Sequence, residues 1–236
     1  NDGQLGQESS PEAFVSNLIK LFSKIKTVLK DNGTVWVNIG DTYFGPKGGH
    51  YDSNNSITNS ATGTEYRQKR SAPPKHSYLK SGDLSGVPWM FAIEMQKKGW
   101  YLRQDIIWAK PNPMPEAVKN RCVKSHEHIF LFSKKKQYYF DYESIREKGV
   151  IPEGTKAAKG SVERFNEKGV SSRPPEYKVY DGMRNKRDVW TINTAQSKDA
   201  HFAVFPTKIP ELCIKAGSRE GDTVLDPFMG SGTTAL

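Results

Sequence analysis

The chain has 236 residues, long enough for one large α/β domain with insertions, and its 35 Lys+Arg against 26 Asp+Glu give a formal charge of +9. No apolar run approaches the roughly 20 residues that a membrane helix needs, and Asn1-Asp2-Gly3-Gln4 is no signal peptide, so the expected setting is the cytoplasm, with no membrane partner. The two cysteines, Cys122 and Cys213, are too few for a disulfide framework or a structural zinc site, and their aliphatic or basic neighbours predict buried thiols. The positive balance suits a polyanionic partner without proving one.

In chain order, Ser10-Pro11-Glu12 opens a helix over 11–30, with a serine N-cap and a proline in the first turn. Phe14, Leu18, Leu21, Phe22, Ile25, Val28 and Leu29 recur at helical spacing up to the stop at Asp31-Asn32-Gly33. Thr34 to Ile39 reads as a short strand, apolar on both faces and therefore expected inside a parallel sheet. Parallel strands need a crossover helix, so the helix ahead of it implies a further strand before that. Residues 44–80 are rich in Gly, Ser, Asn and Thr, with Lys47, Arg67, Lys69, Arg70, Lys75 and Lys80 against Asp52 and Glu65.

A second helix reads from 87 to 98 and stops at Gly99. Strands at 101–108 and 128–133 flank Lys110-Pro111-Asn112-Pro113-Met114-Pro115. His126 and His128 share one strand face with Glu127 on the other, which predicts no metal. Tyr138-Tyr139-Phe140 is expected to begin another short strand, and 141–188 is polar, with Lys and Glu mixed. A short helix over 211–215 leads to the final strand, the buried apolar run Thr223-Val224-Leu225.

That run meets an acid, a proline and a small-residue loop, Asp226-Pro227-Phe228-Met229-Gly230-Ser231-Gly232-Thr233-Thr234. Gly230 and Gly232 have no Cβ, so a ligand can approach bare backbone where a helix should begin. A phosphate loop needs a Lys followed by Ser or Thr after its glycines, and here Thr233-Thr234 follow. A dinucleotide loop calls for a third glycine where Ala235 stands, a mild departure. The string closely resembles the S-adenosylmethionine loop of DNA amino-methyltransferases, which methylate N4 of cytosine or N6 of adenine. His201-Phe202-Ala203-Val204-Phe205-Pro206 with Ile214-Lys215-Ala216-Gly217-Ser218, the run from Gly33 to Tyr43, the run from Gly99 to Pro115, and His126-Glu127-His128-Ile129-Phe130-Leu131-Phe132 also fit that family. Their order, with the cofactor loop last, is similar to its beta subgroup.

The resemblance implies an α/β, Rossmann-like S-adenosylmethionine-dependent methyltransferase fold, with a mostly parallel sheet, helices on both faces and inserted DNA-recognition loops. It implies one methyltransferase domain over 1–236, incomplete at both ends, with insertions at about 44–80 and 141–190. Each insertion reads either as a DNA-contacting segment or as solvated surface, and 141–190 is favoured for target recognition. The implied cofactor is S-adenosyl-L-methionine, lined by Asp226, Phe228, Gly230, Ser231, Gly232 and Thr233, with Thr234 at the helix start. Phe205 and Pro206 would be its neighbours, or simply a core Phe with a helix-start proline. The implied partner is double-stranded DNA, with a homodimer and a cognate restriction endonuclease left open. Lys110 and Asn112 would meet its backbone, unless they belong to a plain surface loop, and Arg67, Lys69, Arg70, Arg184, Lys186 and Arg187 are further candidate contacts.

One departure bears on catalysis. The family's tetrapeptide, Ser/Asp/Asn-Pro-Pro-aromatic, is not among these residues, because Pro73-Pro74 and Pro174-Pro175 lack the flanking types. It is expected ahead of Asn1, so no catalytic residue is assigned within the chain. Asp41, at the end of a strand, is a candidate pocket residue and equally a helix cap or turn. The context Gly3-Gln4-Leu5-Gly6 looks like the serine-type members, which favours cytosine slightly over adenine. Two other readings compete: a non-catalytic DNA-binding protein derived from this fold, and a nucleotide- or dinucleotide-binding enzyme.

Overall fold

The computed structural model describes residues 5–45, 57–58, 65–66, 75–158, 177–195, 206–230 and 232–235; Arg67, Lys69, Arg70, Phe205 and Ser231 lie outside them. Helix α1 (Pro11–Val28) starts as its sequence predicts, since the Ser10 hydroxyl accepts the Ala13 N–H at 3.2 Å and Pro11 needs no partner for a missing donor. Strand β1 (Thr34–Ile39) follows, then the small antiparallel ribbon of β2 (Ile57–Thr58) and β3 (Glu65–Tyr66). Helix α2 (Val87–Lys97) ends at Gly99, whose φ of 78° suits only glycine well, and β4 (Tyr101–Ala109) leads to β5 (His126–Ser133). Beyond it two antiparallel ribbons are nested: β6 (Glu147–Lys148) pairs with β9 (Met183–Arg184), enclosing β7 (Lys156–Ala158) paired with β8 (Tyr177–Val179). Strand β10 (Val189–Thr191) and helix α3 (Lys208–Gly217) come last.

The main sheet has the order β1-β5-β4-β10. Lys110 N–H donates to Ser125 O at 2.8 Å, so the chain doubles back and β5 runs against β4. At one end of β5 Lys135 and Lys134 pair with Asp31, just ahead of β1; at the other, Glu127 packs on Gly40, just after it. β5 therefore runs against β1 as well. β10 is parallel to β4, with Trp190 opposite Trp108, so β1, β4 and β10 share one direction and β5 alone opposes them.

The chain divides into two compact units, 1–31 with 35–105 and 126–136, and 32–34 with 106–125 and 137–236; β4 runs from one into the other. In the first, α1 turns Val15, Leu18, Ile19 and Phe22 inward, and α2 contributes Phe91, Ala92 and Met95. Phe91 is fully buried, with ring centroids 5.1 Å from Phe22 and 5.9 Å from Phe132. In the second, the Trp108 indole donates to Ile192 O at 2.8 Å and the Trp190 indole to Arg187 O at 2.9 Å.

Several expectations need correction. The apolar run 223–225 pairs with no strand among the described residues, and Val224 and Leu225 are exposed; hydrophobicity makes a strand only where a ladder receives it. Tyr138-Tyr139-Phe140 forms no strand either: Tyr139 N–H makes a backbone bond to Asn32 O, and Arg219 lies over its ring, 4.2 Å from the centroid. β1, expected inside a parallel sheet, is half-buried, with Asn38 exposed, and its described neighbour is antiparallel. Cys122 is exposed because it sits in the irregular 110–125 connection, whereas Cys213, on the inner face of α3, is buried and burial pushes its thiol up. Helix α3 is longer than 211–215, beginning at Lys208, whose ammonium joins that of Lys215 on Glu211.

Replacing Phe91 with Ala should leave a cavity facing Phe22 and Phe132 and cost about 3–5 kcal/mol. Urea unfolding followed by tryptophan fluorescence checks this; a loss under about 1 kcal/mol would show that the core collapses around the gap.

Candidate cofactor loop and nucleic-acid interface

The loop after 225 is closed by its own acid. Asp226 Oδ1 accepts the Phe228 N–H at 2.8 Å, and Oδ2 accepts the Thr234 hydroxyl, so one carboxylate ties the loop's entry to its exit. Gly232 N–H donates to Met229 O at 2.9 Å and Ala235 N–H to Gly232 O at 2.8 Å, which gives a 3-10 turn at Thr233–Ala235 where the helix start was expected. Gly230 and Gly232 hold φ of 54° and 88°. Among the described residues a Cβ on Gly232 would meet nothing within 4 Å, so the loop backbone is uncovered there. Phe228 and Met229 are half-exposed beside it. Pro206 stands one residue ahead of the α3 N-cap Thr207, and its carbonyl accepts the Ile209 N–H at 3.0 Å.

Asp41 acts as a helix tie. Its carboxylate accepts from Gly86 N at 3.0 Å, Val87 N at 3.2 Å and Thr42 N at 2.9 Å, joining the end of β1 to the first turn of α2. An anion at a helix start also meets the positive end of the helix dipole. The cap, left open beside the pocket role by the sequence, is what the geometry displays.

The basic candidates of the second unit fall into two groups. Lys110 lies over the Trp108 ring, 4.4 Å from its centroid, and Asn112 ties the 110–115 segment to Thr194, its Oδ1 accepting Thr194 N–H at 2.9 Å. Arg184, Lys186 and Arg187 converge on Glu147, at 2.9, 3.1 and 2.6 Å. Three cations on one carboxylate leave local positive charge, with the Arg187 side chain the most exposed of the three. Burial alone would raise the Glu147 carboxyl, but Arg187 and Lys186 outweigh it and hold it at about 2 against an ordinary 4.5.

Sequence reasoning did not find Glu147, since nothing separates it from the other Glu and Lys of a mixed polar stretch. It also missed the His128 Nδ1–Asp105 pair at 2.9 Å and the Glu12 carboxylate bonded by Tyr78 and His76; the Tyr78 hydroxyl is the main cause that holds Glu12 at about 2. Both pairings join residues far apart in the chain, which no local pattern encodes. Among the described residues no group of three His, Cys, Asp or Glu gathers as a metal site.

A four-stranded mixed sheet with the helices α1, α2 and α3 makes this an α/β protein. The DNA methylase family model N6_N4_Mtase matches residues 1–236, and the chain belongs to that family. It is 42% identical over 236 residues to the type II methyltransferase M.SmaI of Serratia marcescens, covering 100% of this chain and 69% of that protein. To M.Cfr9I of Citrobacter freundii it is 40% identical over 235 residues, covering 100% of this chain and 66% of that one. The solved PvuII DNA methyltransferase, described as cytosine-N4-specific, superposes with a TM-score of 0.59 at 18% identity, covering 100% of this chain and 65% of that chain. A putative DNA modification methylase from Thermus thermophilus, solved with S-adenosyl-L-methionine, gives 0.50 at 20% identity, with 94% and 65% covered. These likenesses establish the fold: a Rossmann-like α/β methyltransferase fold. No described helix is long and apolar enough to cross a membrane.

Because the folded pKa of Glu147 is lowered, its contribution to stability is complete above about 4.5 and is lost as pH falls toward about 2. Glu147→Gln should therefore lower stability at about pH 7, with the difference from wild type shrinking below about pH 4.5 and vanishing only near pH 2, a convergence that urea midpoints along an acid series measure. Equal destabilisation at every pH would contradict the charge pairing.

Proposed function

We propose that the protein transfers a methyl group from S-adenosyl-L-methionine to an exocyclic amino group of a base in double-stranded DNA. The observation that carries this is the closed Asp226–Thr234 loop with its open Gly232 side, in a chain 42% identical to a type II methyltransferase. The cofactor supplies an electrophilic methyl on a sulfonium centre. Gly230 and Gly232 let it lie against backbone, Thr233 and Ser231 offer hydroxyls, and Phe228 and Pro206 wall it, with Phe205 beside them in sequence. Asp226 keeps the loop in shape for binding, and Thr234 completes that closure.

The target amino group is a poor nucleophile stacked inside a duplex, so the base must leave the stack, and transfer then depends on proximity and alignment. Phosphate contacts are assigned to Lys110, to the group Arg184, Lys186 and Arg187, and to Arg67, Lys69 and Arg70. Asp41 belongs to the pocket only through the helix it holds. Cytosine N4 is favoured over adenine N6 on the Gly3-Gln4-Leu5-Gly6 context. A cognate restriction endonuclease in the same cytoplasm is the proposed partner, a reading that relatives named type II methyltransferases support, and a homodimer is compatible with this role.

Mass spectrometry of nucleosides from DNA incubated with the full-length protein and S-adenosyl-L-methionine tests the reading. Methylated cytosine is expected; methylated adenine would correct the base, and neither would leave a DNA-binding protein without transfer activity. Asp226→Ala removes two loop bonds worth about 1 kcal/mol each, so calorimetry should show cofactor affinity weakened about tenfold or more. Unchanged affinity would remove the loop from the cofactor site.

A further inference from the structure

Antiparallel neighbours such as β4 and β5 can be joined by a turn of about two residues. The chain instead uses 110–125, with no helix or strand in it. Irregular connections of this length are mostly functional. This one is also stiff. Pro111, Pro113 and Pro115 each fix φ, and the residues before the last two, Asn112 and Met114, are thereby held extended. Lys110 N–H closes the base on Ser125 O at 2.8 Å. Asn112 is tied twice to Thr194, its side chain accepting the N–H at 2.9 Å and its carbonyl accepting the hydroxyl at 3.3 Å.

Beyond these anchors Met114 is 87% exposed, the most exposed large apolar side chain among the described residues. Folding gains nothing from an apolar group held out in water on a braced tip; something that covers it does. The charge around it indicates what. The connection carries Lys110, Lys119, Arg121 and Lys124 against the single acid Glu116, a setting for a polyanion.

We propose that Met114 is a wedge that enters a base step of duplex DNA beside the base to be methylated. This rests on the reading of the protein as a DNA methyltransferase. A thioether chain is unbranched and narrow enough to slide between base pairs, and apolar side chains of this kind prise steps apart in proteins that deform DNA. Filling the step offsets part of the unstacking that extrusion of a base requires. Asn112 then serves as the positioning residue that braces the wedge, and Lys110 with its basic neighbours meets the flanking phosphates.

The test uses full-length protein and a duplex carrying a fluorescent analogue of the base that methylation mapping identifies, pyrrolocytosine for cytosine or 2-aminopurine for adenine, since either probe brightens when it leaves the stack. Met114→Ala should cut the fluorescence rise about tenfold, the size expected from losing burial of one methionine side chain, while Met114→Leu and Met114→Phe keep most of it. The thermal midpoint and S-adenosyl-L-methionine affinity should not move, because the side chain is exposed. A Met114→Ala protein that brightens the probe as wild type does overturns the wedge and leaves the methylation reading standing. So does one that changes only the oligomeric mass, which assigns the methionine to a protein interface. A wild-type protein that neither methylates nor extrudes the base overturns the reading beneath the wedge, and the wedge with it.

Discussion

Strand β5 is the constraint on which the rest of the structure depends. It lies between β1 and β4 and opposes both, and Ile129 to Ser133 are each no more than 1% exposed. A strand so enclosed must be apolar on both faces, and Ile129, Phe130, Leu131 and Phe132 meet that demand. Its register brings Phe132 against Phe91 of α2 and His128 against Asp105 of β4. A one-residue slip would turn Phe132 away from Phe91 and His128 away from Asp105, and the loss of those contacts opposes it.

Polar side chains at element ends secure the geometry that chemistry needs. Asp41 fastens the end of β1 to the start of α2, Asp226 fastens the glycine loop to itself, and Asn112 fastens the proline-rich connection to Thr194. In each case the side chain accepts backbone N–H groups that loops leave without partners, and the loop becomes stiff enough to present something else. What it presents differs: a helix start, an open glycine face, an exposed methionine. Glu147 does the same with charge, gathering Arg184 of β9 and, just after it, Lys186 and Arg187 in one place.

Much of this was legible from residues alone. The Ser10-Pro11 start of α1, the glycine stop after α2 and the bounds of β1 are local chemistry, and local chemistry reads directly from neighbours in sequence. The loop proposed to hold the cofactor drew attention because glycines, an acid and a proline stand together in it. The failures share a cause. Val224 and Leu225 looked like a buried strand, yet a strand is a pairing, and none of the described residues pairs with them. Cys122 looked buried from its neighbours, but an irregular loop carries no side reserved for the core. Lys110, Asn112, Arg184, Lys186 and Arg187 were read as candidate DNA contacts; the partners that hold Asn112 and the three cations on Glu147 come from residues far along the chain, which no local pattern shows.

The central claim is that S-adenosyl-L-methionine lies on the backbone of the loop that Asp226 closes. Hydrogen exchange of the full-length protein, with and without saturating cofactor, tests it most directly, because the N–H groups of that loop would become its partners or be shielded by it. Slowed exchange concentrated in the peptide spanning 226–235 is the predicted result. Unchanged exchange there, with protection appearing elsewhere in the chain, would contradict the account.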